Sequence, residues 1–278
     1  MKYKIVVDSC CDLPDETLKL FGAELAPLRI QVGDVEVVDD LSFDQKNLLR
    51  LMKASKVATK TSCPSPNAYL ELYKGADAVF VVTLSDQLSG SYNSAMIAKE
   101  MAESEGVCKY VHVCNSLAAS SSQVLIAYML KDLIDQEVAP EKIAELIDAY
   151  IMEQKTMFVL ESLENLIRAG RISNTEGLIA NLLSIKPLMG ANKKGEIVKI
   201  QVNRGMKKSL NKLVEEIGKT NRDLSQLRCG ISHCNCPERA EELKKKIAET
   251  YNFKEIIVAP TRGIASVYAY DGGVVVSY

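Results

Sequence analysis

Ala78-Val79-Phe80-Val81-Val82-Thr83 runs directly into Leu84-Ser85-Asp86-Gln87-Leu88-Ser89-Gly90-Ser91-Tyr92-Asn93-Ser94-Ala95. The first six residues form the near-continuous apolar run of a strand buried on both faces. The next seven make a turn rich in hydroxyls with one glycine, and a helix is predicted from about Ser91 to Ala102. A second such turn, Thr59-Lys60-Thr61-Ser62-Cys63-Pro64-Ser65-Pro66, lies upstream, with Ser65 and Pro66 as a sound helix start. The start of a helix carries unpaired backbone N–H groups and partial positive charge, so hydroxyls beside it can help to hold an anion. Taken singly, each turn reads equally well as helix capping.

Outward from this stretch the first half alternates strands and helices. Tyr3 to Asp8 reads as a strand and Pro14 to Phe21 as a helix. Leu28 to Val32 and Val35 to Val38 flank Gly33-Asp34 as a hairpin, an insertion over about 26–38. Helices are expected at Phe43 to Ala54, Asn67 to Lys74, Ala118 to Gln136 and Pro140 to Gln154, with a strand at Tyr110 to Cys114. Such alternation predicts a parallel, helix-covered sheet, in which ligands bind beyond the carboxyl ends of the strands. Both hydroxyl-rich turns are placed where the chain enters a helix on that side.

The second half has a different grammar. Thr156 to Glu161 reads as a strand and Leu163 to Ala169 as a short helix closed by Gly170. Ser173-Asn174-Thr175-Glu176 has the form of a capping box opening another helix. Ser184 to Met189 and Glu196 to Val202 read as a hairpin around Gly190 to Gly195. Helices at Lys207 to Lys219 and Pro237 to Tyr251 alternate with strands at Arg228 to Ser232 and Glu255 to Ala259, and a final pair of strands is expected within Ala265 to Tyr278. The fold class is therefore α/β: an N-terminal parallel-sheet domain over 1–154, then an α+β domain over 155–278 with a largely antiparallel sheet, the boundary falling near Glu153 to Thr156.

Composition narrows the function by exclusion. The 278 residues are 47% apolar and 25% charged, and 34 basic against 36 acidic residues give a net charge of −2. That balance offers no footprint for nucleic acid or an anionic membrane. The longest apolar runs, such as Val124 to Leu130, are too short to span a bilayer, and Asp8 interrupts the N-terminus too early for a secretory signal. The cytoplasm is the expected location, where the eight cysteines stay reduced. Only His233-Cys234-Asn235-Cys236 is clustered, and Cys-x-Cys lacks the paired spacing of zinc sites.

Catalytic patterns fare no better. A serine nucleophile needs a base, and the two histidines offer none: His112 sits inside a strand and His233 follows one. Gly190 to Gly195 fails as a phosphate loop because Glu196 stands where lysine is needed. Asp39-Asp40 reads as a solvated turn, and Lys207-Lys208 and Lys244-Lys245-Lys246 as solvated helix faces. By subtraction, the hydroxyl-rich corners hold a ligand rather than attack one, and no metal and no cofactor are expected.

Several ordered stretches carry a family resemblance. Asp8-Ser9-Cys10-Cys11-Asp12-Leu13-Pro14 is similar to Asp-Ser-Thr-x-Asp-Leu-Pro, and Thr61-Ser62-Cys63-Pro64-Ser65 to Thr-Ser-Gln-Pro-Ser. Leu88 to Ala95 is close to Leu-Ser-Gly-Thr-Tyr-Gln-Ser-Ala, and Arg168-Ala169-Gly170-Arg171-Ile172, followed by Lys186-Pro187, to Lys/Arg-Gly-Gly-Arg-Ile. These are motifs of the DegV family, bacterial fatty-acid-binding proteins that serve as carrier subunits of fatty acid kinase, and the likeness spans most of the chain. The resemblance implies two α/β domains with a long-chain fatty acid, such as palmitate, held between them, a partner fatty acid kinase, and no catalysis by the chain itself. It implies that Thr61 and Ser94 hydrogen-bond the carboxylate, with Ser62, Gly90 and Asn93 beside them, and that Arg204 lies at the head group or at the kinase interface.

The chain departs from the family pattern where Tyr268, within Ser266-Val267-Tyr268-Ala269-Tyr270-Asp271-Gly272, takes the place of a histidine near the head group, and where Asn115-Ser116 and Ser120-Ser121-Ser122 replace Asp-Ser and a glycine-rich helix start. A phenol donates a hydrogen bond but carries no positive charge. A different amphipathic acid is the first alternative ligand. An enzyme acting on an acyl or phosphorylated substrate is the second alternative, of another class.

Overall fold

The computed structural model describes residues 1–172 and 185–278. In chain order the first part holds β1 (Tyr3–Asp8), α1 (Asp15–Phe21), β2 (Glu24–Ala26), β3 (Arg29–Val32), β4 (Val35–Val38), α2 (Gln45–Ala54), β5 (Lys60–Ser62), α3 (Pro66–Tyr73), β6 (Ala78–Thr83), α4 (Ser91–Glu105), β7 (Tyr110–Asn115), α5 (Ser121–Asp135) and α6 (Pro140–Glu153). The second part holds β8 (Thr156–Val159), α7 (Glu164–Arg168), β9 (Leu188–Ala191), β10 (Ile197–Gln201), α8 (Met206–Ile217), β11 (Arg228–His233), α9 (Pro237–Thr250), β12 (Glu255–Pro260), α10 (Gly263–Ala269) and β13 (Val274–Ser277).

The apolar run 78–83 is a central strand of a four-stranded parallel sheet ordered β2-β1-β6-β7. Every residue of β6 is buried because helices cover both faces. Phe80 and Val82 meet α5 and α6, whereas Val79 and Val81, pointing the other way, meet Tyr69 and Tyr73 of α3 and Ala95 and Ala98 of α4. The small antiparallel sheet β4-β3-β5 stands beside it, with Gly33 at φ +59° turning β3 into β4. The six-stranded sheet β10-β9-β8-β13-β11-β12 is antiparallel except where α9 carries β11 to a parallel β12. The α/β class read from the sequence is the one observed.

Helix α5 joins the two large sheets. Residues Ser121 to Ala127 are all buried, so this helix is enclosed rather than amphipathic. It packs on β1 and β6, and Gly230 of β11 lets the Ser121 carbonyl come so near that a Cβ there would stand 3.1 Å from it. Ser121 Oγ bonds Ser277 Oγ at 2.8 Å, and Ser277 in turn bonds Thr156 Oγ1 at 2.9 Å. Arg228 reaches from β11 to Asp132 of α5 with two hydrogen bonds.

Three expectations are corrected. Residues 265–278 hold one strand, not two: α10 precedes β13. The reason lies in Asp39, which is not a solvated turn residue but is fully buried and accepts from Gly263 N at 2.7 Å and Ile264 N at 2.8 Å. The cap of α10 thus comes from more than 220 residues upstream, where no local pattern announces it. The Thr61-Ser62 stretch is an edge strand of the small sheet rather than a plain turn, pairing Thr61 with Ile30. The Ser173-Asn174-Thr175-Glu176 capping box, the helix it opens and the start of the strand at Ser184 lie outside the described residues.

Candidate functional site

Asp8 sets up the site from below. Fully buried at the end of β1, it accepts from Leu84 N at 2.8 Å, Ser91 Oγ at 2.7 Å, Gln123 Nε2 at 2.8 Å and Cys10 N at 3.1 Å. Burial raises its pKa and these donors oppose the rise. Because the one proton of Ser91 goes to Asp8, Tyr69 is the donor in its 2.6 Å bond to Ser91. Ser91 is therefore consumed in fixing the turn to β1. Ser89 Oγ accepts from Ser91 N, and Ser85 Oγ accepts from Gln87 N while donating to Gly195 O at 2.8 Å.

Of the remaining hydroxyl residues, Thr61 and Ser94 are half-buried. The N-cap of α4 is Gly90, which offers its first-turn N–H groups no side-chain acceptor. Ser89 Oγ takes the Ser91 N–H from one residue upstream, so capping accounts for part of this corner. Across from it, Cys63 Sγ lies 3.7 Å from Ser94 Oγ, and a Cβ on Gly90 would come within 3.2 Å of that sulfur. Thr61 Oγ1 bonds Tyr268 OH at 2.9 Å. The structure so brings Thr61, Cys63, Gly90, Ser94 and Tyr268 into one neighbourhood built by β5, α4 and α10. Ser62 is next in the chain and exposed, and Asn93 is exposed on α4. Arg204 is exposed and bridges Ile185, at the opposite end of β10 from the Gly195 turn.

Tyr268 and Leu88 also line a cavity of about 90 Å³. Its walls are mostly apolar, with Leu84 and Ala118 from the parallel-sheet side and Phe158, Leu160, Ile197, Ile264 and Val275 from the six-stranded side. Thr156, Phe158 and Leu160 are alternate residues, so one face of β8 and its continuation forms the long wall. At about 3.3 Å per residue the wall runs about 13 Å. The arrangement is amphipathic: hydroxyls and unclaimed helix N–H groups at the Tyr268 end, hydrocarbon beyond. An ionised carboxylate is stabilised by several donors once water is excluded, and each methylene then buried contributes about 0.8 kcal/mol.

Two polar groups of the wall were missed by sequence reasoning. Arg171 donates from Nε to Leu88 O at 3.1 Å and from Nη1 to Ala169 O, tying the Leu88 turn to the end of α7. Only its place in Arg168-Ala169-Gly170-Arg171-Ile172 distinguished it. Ser120, held at φ +64°, bonds buried Asp12, whose other oxygen accepts from Arg262 N at 2.7 Å. Burial pushes the Asp12 carboxyl up to about 7, and that of Asp39 to about 6.

Neither histidine reaches this neighbourhood. His112 Nε2 pairs with Asp148 at 2.9 Å, and His233 Nδ1 accepts from Cys236 N at 3.3 Å, with burial lowering its pKa. Among the described residues no three ligating side chains are grouped to hold a metal ion, and no helix is long and apolar enough to cross a membrane.

Comparison with known proteins places the chain in a family. The sequence model of the DegV family, described as uncharacterised proteins, matches residues 2–278. A DegV domain-containing protein of Streptococcus pneumoniae strain R6 is 36% identical over 281 residues, covering 100% of this chain and 99% of its own. A crystal structure of a DegV family protein from Ruminococcus gnavus, refined with vaccenic acid, superposes with a TM-score of 0.96 at 40% identity, covering 100% and 99%. The fatty acid kinase B3 protein of S. pneumoniae, loaded with linoleic acid, gives 0.90 at 35% identity over the same shares.

Proposed function

The chain belongs to the DegV family, and from that premise we propose that it binds a long-chain fatty acid in the cavity between its two large sheets. The acyl chain lies along the β8 wall, and Thr61, Ser94 and the N-terminus of α4 hold the carboxylate, with Tyr268 donating to Thr61 Oγ1 so that the one proton of the threonine goes to the carboxylate. The observation that carries this reading is the meeting of an apolar cavity with a hydroxyl cluster at Tyr268, which lines the one and bonds Thr61 of the other. In this reading the hydroxyls of Thr61 and Ser94 hold the carboxylate and the chain acts as a carrier. A fatty acid presented in this way is a substrate for phosphorylation by a separate kinase, a role supported by the name of the B3 relative, a fatty acid kinase protein.

Thr61→Ala and Ser94→Ala test the head-group assignment. A hydrogen bond to a charged group contributes about 1.5–3 kcal/mol, so each variant loses roughly ten- to a hundredfold in fatty-acid affinity by titration calorimetry. Unchanged affinity in both variants removes these residues from the carboxylate. Kinase partnership is tested by adding a bacterial fatty acid kinase and ATP to the loaded protein, where formation of acyl phosphate is the expected result.

A further inference from the structure

A second cavity, of about 230 Å³, lies against the first and shares three lining residues with it: Ala118, Thr156 and Ala191. These stand at the end of the β8 wall remote from Tyr268, since Thr156 opens the strand whose far continuation, Leu160, shares its apolar cluster with Tyr268. The partition between the voids is thus made of two alanines and one threonine. On its other side Leu117, Ile151 and Met152 supply the apolar lining, and Gln154 and Lys193 are among its polar groups. Small-molecule sites usually span about 300–1,000 Å³. Neither void reaches that range alone, and joined they do.

We propose that the second cavity is the distal part of the lipid site, receiving the methyl end of long acyl chains that pass the Ala118–Thr156–Ala191 partition. This rests on the acyl-binding reading above. The small side chains at the partition leave a chain room to pass at little steric cost, and Leu117, Ile151 and Met152 give the emerging end an apolar surface. The polar part of the lining makes burial there incomplete, so the gain per methylene is lower than along β8.

The test is the ratio of affinities for arachidate and myristate in the intact protein. Ala191→Phe closes the partition, and Met152→Trp fills the second cavity from a residue that is already 50% exposed and outside the core. Each variant is expected to lower the arachidate-to-myristate ratio about tenfold, the equivalent of re-exposing about two methylenes. A ratio unchanged in both variants overturns the proposal, and so does a loss confined to Ala191→Phe, which would act on the first cavity alone. Binding of neither acid by the unsubstituted protein is a different result: it rejects the acyl-binding reading itself.

Discussion

Tyr268 concentrates what is particular to this chain at the level of single residues. Its hydroxyl is engaged by Thr61 while its ring borders the cavity. Tyr268→Phe leaves the wall intact and frees the Thr61 hydroxyl. With a neutral hydrogen bond contributing about 0.5–1.5 kcal/mol, the variant should bind fatty acid about two- to tenfold more weakly. A loss as large as that of Thr61→Ala would show instead that the Tyr268 hydroxyl contacts the carboxylate directly, and unchanged affinity would show that it plays no part. The buried carboxylates make a separate prediction. Asp12 titrates at about 7 when folded and near 4 when unfolded, so the folded state binds its proton more tightly. Its contribution to stability is complete below about pH 4 and is lost as pH rises through about 7. Asp39 acts in the same direction and His233 in the opposite one; the His233 part cancels when wild type and Asp12→Asn are compared, whereas the charge of Asp39, which helps to raise Asp12, enters the difference. The difference in their unfolding free energies should shrink between pH 4 and 7 and stay level above pH 8; parallel curves would refute the assignment. None of this was legible in the sequence, where Asp8, Asp12 and Asp39 look like any acidic residue of a turn and only the fold shows that they are buried.

Elements differ in how openly the sequence declared them. The strands β1, β6 and β7 and the helices after them were legible because continuous apolar runs and helical periodicity are local signals. Strand β2, Glu24-Leu25-Ala26, is too short to carry a pattern, and β5 exists only by pairing with β3. Helix α10 was misread because its cap, Asp39, belongs to a distant loop. Gly263 is the matching feature: a Cβ there would lie 2.6 Å from the Asp39 carboxyl carbon. Gly263→Ala should therefore displace Asp39 and cost about 2–4 kcal/mol, combining a lost cap with a buried acceptor left unpaired. Urea unfolding measures this, and a cost below about 0.5 kcal/mol would mean that the loop yields freely. Since α10 carries Tyr268, the same variant should weaken fatty-acid binding.

At the scale of the molecule, function depends on what the two large sheets enclose. The change in strand pattern near residue 155 was legible, as was the kinship of the two hydroxyl-rich corners. Their actual neighbours were not: Cys63 against Gly90, Tyr268 against Thr61 and Arg171 against Leu88 are meetings between distant segments. The seam is held by Ser85 on Gly195, where any side chain at 195 would collide with the serine hydroxyl, and by Arg228 on Asp132. These fix the cavity between the two large sheets, with the hydrocarbon wall on β8 and the polar corner built by β5, α4 and α10. Mass spectrometry of the organic extract of the purified protein, with a titration of added oleate, tests this account most directly. One fatty acid per chain, extracted or taken up, is the predicted result; no acyl chain in the extract and no uptake of oleate would contradict it.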